Sequence, residues 1–189
     1  MEDEGFYSEE RWENWMESIR ETELDPDDDD SALPFFNLQD DVTIACTKVL
    51  DAYDDGDLTE EDCLEGIQEI REVVMQEESF DDEEKEMLLE GVQTSLIGVL
   101  ASCENYVANG AADDAEPEEY VDGAFEAERE EDLDAALGMV AEAGARVIEE
   151  EEFEAERFDD VEYGFVSEWV NGLSSLKEAV EGPEKIEED

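Results

Sequence analysis

The chain has 189 residues, with 64 Asp+Glu against 10 Lys+Arg, a formal net charge of −54, and no histidine. Without a basic stripe to meet a phosphate backbone or an anionic headgroup, the sequence argues against direct nucleic-acid binding and against attachment to a membrane. The lack of histidine removes the commonest general base, the Ser–His and Cys–His nucleophile pairs, the His-containing zinc sites and the Glu-x-x-His di-iron pattern.

The apolar residues recur at helical spacing from the start of the chain. Residues 8–21 read as a first helix, capped by Ser8 and opened by Glu9 and Glu10, which suit the positive end of the helix dipole. Trp12, Trp15, Met16 and Ile19 fall on one stripe. The run from Thr22 to Ser31, with Asp25-Pro26 and four consecutive Asp, reads as a solvated linker. A second helix is predicted from Ala32 or Pro34 to Tyr53, with Phe35, Leu38, Val42, Cys46, Val49 and Tyr53 in period and Phe36 and Leu50 widening the face. After the Asp54–Asp57 turn, Thr59 caps a third helix, with Asp62 three residues on as a capping-box partner.

Asp81 with Glu84 marks the start of a long helix running to about Val107. Asn109-Gly110 and the acidic stretch through Pro117 form an internal linker, and two shorter helices follow over about 118–130 and 132–149. A last helix is predicted from Asp160 to Val180, stopped by Gly182-Pro183. No segment alternates as a strand would. The expected fold is therefore all-α: a compact bundle of six to seven helices with a short aromatic N-terminal helix. The expected organisation is an arm and linker over 1–30, a helical domain over 31–181 with its internal linker at 109–117, and an acidic tail over 182–189.

In a chain one-third acidic, the informative stretches are those without acid. Gly91 to Cys103 holds no charged residue, Val42 to Leu50 has only Lys48, and Trp169 to Lys177 has only its terminal lysine. A helix uncharged on every side is buried on most sides or lies in an interface. The 81–107 helix is thus expected at the centre, with the second and last helices packed around it. Core packing is the first reading of these stretches and an interface the second. Small polar groups that an acid-rich surface would replace suggest contact with protein. The candidate interface residues are Gln93, Thr94, Trp169 and Asn171, together with Trp12 and Trp15 on an arm that docks on its own core or in a partner's groove.

Cys46, Cys63 and Cys103 sit on apolar stripes with no C-x-x-C pair and read as buried, reduced thiols. A strongly acidic chain can be disordered, but this one is 40 % hydrophobic with three Trp, five Tyr and eight Phe, and its apolar residues recur at helical spacing. Haloadaptation is the stronger reading. At 1 M salt the Debye length is about 3 Å, so surface carboxylates hardly repel, and acid spread along the chain keeps it soluble. Residues 1–20 carry six Glu and an Asp, and no run of 18 apolar residues exists. Neither signal peptide nor transmembrane helix is therefore expected, and the location is expected to be cytoplasmic.

No phosphate-binding loop is present, and no cofactor is expected. Asp51 to Asp62 bears a faint likeness to a calcium loop, but Tyr53 stands at position 3 and Asp62 replaces the longer Glu at position 12, and a capped helix–turn–helix explains the same residues. Carboxylate pairs such as Glu119/Asp122 and Glu128/Glu131 leave a Mg²⁺- or Mn²⁺-dependent all-α phosphohydrolase as the alternative function. Residues 120–143 loosely resemble a tetratricopeptide helix pair, with Ala124, Ala136, Val140 and Ala143 at its small or apolar positions and no second copy.

Several stretches carry a wider resemblance: Phe6-Tyr7-Ser8-Glu9-Glu10-Arg11-Trp12, Asn37-Leu38-Gln39-Asp40-Asp41-Val42, Phe80 to Lys85, Gly91 to Ser95, Glu162-Tyr163-Gly164 and Trp169 to Leu173. In these the chain resembles, over nearly its full length, a family of uncharacterised archaeal proteins found mainly in haloarchaea and catalogued as a domain of unknown function. The resemblance implies a halophile origin and supplies no activity. The reading is an uncharacterised halophilic helical protein acting as a non-enzymatic protein-interaction or regulatory module, with a protein partner or a second copy of itself as the binding mate.

Overall fold

The computed structural model describes residues 6–149 and 152–181. Among them are seven α-helices: α1 (Glu9–Glu21), α2 (Leu33–Asp54), α3 (Glu60–Val74), α4 (Glu83–Asn109), α5 (Pro117–Arg129), α6 (Leu133–Ile148) and α7 (Phe165–Glu181). Short 3₁₀ turns cover Asp29–Ala32 and Ala155–Phe158, and no strand is present among the described residues. The expected all-α bundle is what forms. The stop at Gly182-Pro183 and the tail beyond it lie outside the described residues.

Local chemistry fixes most helix starts. The Ser8 side chain accepts the Arg11 amide, and Thr59 with Asp62 forms a reciprocal capping box at α3. Two predicted starts move. The α4 cap is Asp82, whose carboxylate accepts the Glu84 N–H at 2.9 Å, rather than Asp81. Pro117, expected in the linker, is buried at the first turn of α5, where its missing N–H costs nothing. A larger correction concerns α7, which begins at Phe165 and not at Asp160. Its first N–H groups are met from another helix: Glu128 of α5 accepts from Phe165 N–H at 2.8 Å and from Val166 N–H at 3.4 Å. The segment before it folds as a 3₁₀ turn that seats Phe153 and Phe158 in the core.

The charge-free run lies at the centre, as expected. From Gly91 to Cys103 no residue is exposed, and α4 packs against α2, α3, α6 and α7. The α4–α7 crossing is tight. Gly98 lies against Trp169, and a Cβ on Gly172 would overlap the Ser95 carbonyl oxygen. Gly144 of α6 is as tight, against the Ser102 side chain. α5 and α6 fold back on each other, burying Ala124, Ala136, Val140 and Ala143.

The few cations tie distant segments together. Arg11 pairs with Asp41, Arg20 with Glu78, Arg71 with Glu104 and Arg157 with Asp122. Lys85 donates to the Arg20 carbonyl, Arg146 to that of Ala112 and Lys177 to that of Phe153. All three cysteines are buried and reduced. Well separated in sequence, they come together in space: Cys103 lies against Cys46, and that contact followed by burial pushes its thiol well up, with Cys63 contributing. Burial pushes the Cys63 thiol up to about 11. Both stay protonated at neutral pH, as inert core groups do.

Candidate functional site

The segment between α1 and α2 is a closed turn. Asp25 N–H donates to Ser31 Oγ at 3.0 Å, Asp27 N–H to Asp25 Oδ1 at 2.9 Å, and Asp30 N–H to Asp28 Oδ1 at 3.1 Å. These side chains compete with helix formation and hold the acidic run as a compact loop. The loop, the first turn of α2 and the start of α4 border an open cleft of about 500 Å³. Its large apolar lining residues are Leu24, Phe36, Met87 and Leu88. Phe36 is 56 % exposed and Met87 70 %. Isolated exposed apolar side chains are ordinary, but two large ones facing one cleft form a patch of the kind that marks contact surfaces.

Phe36 is thus not part of the buried face of α2, as its neighbourhood in the sequence suggested. Phe35 turns into the core, and the next residue, 100° around the helix, points out. Met87 carried no signal in the helical period, because it lies beside the Leu88–Val92 stripe rather than on it. The available clue was an unbranched apolar residue directly after the all-charged Glu83–Glu86 turn.

The six residues singled out from the sequence do not share one surface. Trp12 is 1 % exposed and its indole donates to Glu78 at 3.3 Å. Trp15 is half-buried, its indole donating to Asp41 at 2.8 Å, and Asp41 also pairs with Arg11. Tyr7 is buried beside them, and burial followed by the Asp41 charge pushes its hydroxyl well above the ordinary range. Gln93 reaches the end of α3, donating to the carbonyls of Val74 and Gln76 at 2.9 Å each. Thr94 donates to Glu90 within its own helix. Trp169 is 5 % exposed against Gly98, its indole N–H without a partner, and Phe165 packs on its ring. Asn171 is exposed and opens on a separate cleft with Tyr163 and Ser174.

The carboxylates that turn inward are bound to the protein itself. Asp41, Glu78, Glu104 and Glu128 each bridge two elements. Among the described residues no group of three or more carboxylates or thiols is arranged to hold a metal ion. The phosphohydrolase alternative needs four carboxylates from two helices converging on one pocket, and the described residues do not supply them. No helix among them is long and apolar enough to cross a membrane.

The chain belongs to the family described as "uncharacterized protein conserved in archaea (DUF2150)", which matches residues 5–189. No curated protein and no solved structure matches it.

Proposed function

We propose that this member of the archaeal family is a non-enzymatic protein-interaction module of a halophilic cytoplasm, and that it binds through the Phe36–Met87 cleft. One observation carries the reading: two large apolar side chains face a preformed cleft on a chain whose surface is otherwise dense in carboxylate. The net charge of −54 supports the halophilic part, because such a surface is tolerable where salt screens it within about 3 Å. Asn171, with the exposed Tyr163 beside it in a separate cleft, is a second, weaker candidate surface, while Trp169 is buried.

The test is affinity purification from a native archaeal lysate kept in multimolar KCl, with the wild-type chain and the Phe36→Glu, Met87→Glu double variant as baits. The wild-type chain is expected to retain a partner that the variant loses. A partner retained equally by both moves the interface elsewhere, and a clean monomer that retains nothing removes the reading. The halophilic part has its own check. A cooperative thermal transition is expected in multimolar KCl and a loosened, broader one in dilute buffer; matching transitions would refute it.

A further inference from the structure

We infer that the occupant of the Phe36–Met87 cleft is a segment of another protein that places an apolar anchor between Lys or Arg residues. This rests on the reading of the cleft as a docking surface and adds the chemistry of what docks. The apolar lining calls for the anchor: Leu24, Phe36, Met87 and Leu88 give a ligand hydrophobic contact, and methionine adapts its shape to varied apolar partners. The volume of about 500 Å³ is in the range of ordinary binding clefts.

The rim calls for the cations. Asp25, Asp28, Asp29 and Glu84 line the cleft, and no Lys or Arg does. None of the four is paired with a cation among the described residues, whereas Asp41, Glu78, Glu104 and Asp122 all are. Lys85, next to Glu84 in sequence, turns inward to the Arg20 carbonyl instead. All four are exposed, and an occupant that brings positive charge meets them at contact distance, where charge complementarity favours it over an acidic one. A second copy of this chain is poorly equipped to do so. Seven of its ten Lys and Arg already bond to its own carboxylates or carbonyls.

The test uses the full chain labelled with ¹³C at its five methionine methyls, titrated in multimolar KCl. Three synthetic peptides are compared: a Lys/Leu amphipathic peptide, its Glu/Leu counterpart, and a Lys/Ser peptide without anchors. The Met87 methyl should shift saturably with Lys/Leu, while Met139, which is also exposed, stays put as the internal control. Binding should weaken about tenfold or more with Glu/Leu, with Lys/Ser, and with Lys/Leu against the Phe36→Glu variant. The Asp25→Asn, Asp28→Asn, Asp29→Asn triple variant keeps the turn's hydrogen-bonding side chains and should lose affinity for Lys/Leu alone.

Glu/Leu binding as tightly as Lys/Leu would overturn the inference, as would equal shifts at Met139, which report adsorption to acid in general. Dimerisation abolished by Met87→Glu would assign the cleft to a second copy and overturn it too. If no peptide binds but the lysate partner is still lost with the Phe36→Glu, Met87→Glu variant, the inference fails and the docking surface stands. If that partner is absent as well, both fail.

Discussion

The α4–α7 crossing and the seat of α1 solve the same problem, docking a helix on an acidic protein, in different ways. At the crossing, glycine lets backbones approach: Gly98 meets Trp169 and Gly172 meets Ser95, with no Lys or Arg in the contact. At the α1 seat, Trp12, Met16 and Ile19 are buried, but charged and polar groups surround them. Arg11 and Trp15 share Asp41, Arg20 and Trp12 share Glu78, and Lys85 holds the last turn of α1. The difference teaches where each method works. Close approach serves where no cation enters the contact, with the Ser95–Glu168 hydrogen bond at 3.0 Å beside it, and scarce cations are placed where a helix with an acidic outer face must be held to an acidic body.

Trp12→Ala should break the comparison most sharply. Emptying a fully buried tryptophan site costs about 3–5 kcal/mol. Because α1 is peripheral, the loss should appear as faster hydrogen exchange in α1, with α4 and α7 still protected. Equal loss in all three would show that the arm and the crossing unfold as one unit. Gly172→Ala attacks the other side. A backbone carbonyl cannot move aside for the new methyl, so the variant should lose about 3 kcal/mol, or roughly 6–12 °C in Tm for a chain of this size. An unchanged Tm would mean the two helices are not in that register.

Asp41→Ala should cost about 1–3 kcal/mol, because it leaves the Trp15 indole and the Arg11 guanidinium without their shared acceptor. Its effect should shrink in high salt, where the penalty of the Gly172 variant should not. Gly138→Ala is the matched control in an exposed helix interior with nothing nearby, and it should gain about 0.5–1 kcal/mol.

The smallest effect expected is at Asp51. Burial first, then Asp54 and Asp55, hold its carboxyl above the ordinary range. A carboxyl raised by folding is neutral in both states at low pH. It then weakens the fold as pH rises from its unfolded pKa through its folded one. Asp51→Asn should therefore raise Tm slightly near about pH 7 and leave it unchanged near about pH 3. The same gain at both values would mean that charge is not the cause.

Much of this was legible in the sequence. The gaps in the acid located the central helix, because a helix buried on every side cannot carry unpaired carboxylates, and Gly91 to Cys103 has none to bury. The Ser8 and Thr59–Asp62 caps were readable because donor and acceptor lie within three residues of each other. The candidate cleft was not readable. Whether Phe36 or Phe35 turns inward depends on the rotation of α2 against α4, and periodicity fits both when neighbouring residues are apolar. Met87 becomes notable only beside Phe36, 51 positions away in the chain.

What the sequence determined by itself was the helical class, a bundle of six to seven helices and the Ser8 and Thr59–Asp62 caps, with the α4 start read one residue early. What tertiary structure decided were the boundaries and roles set from afar. α7 starts at Phe165 because Glu128, 37 residues earlier, accepts its first amide. α3 ends beneath Gln93, whose amide takes the terminal carbonyls. Helix ends always leave backbone groups unsatisfied. A partner supplied within three residues can be read from the chain, but one supplied by another helix exists only once the chain has folded.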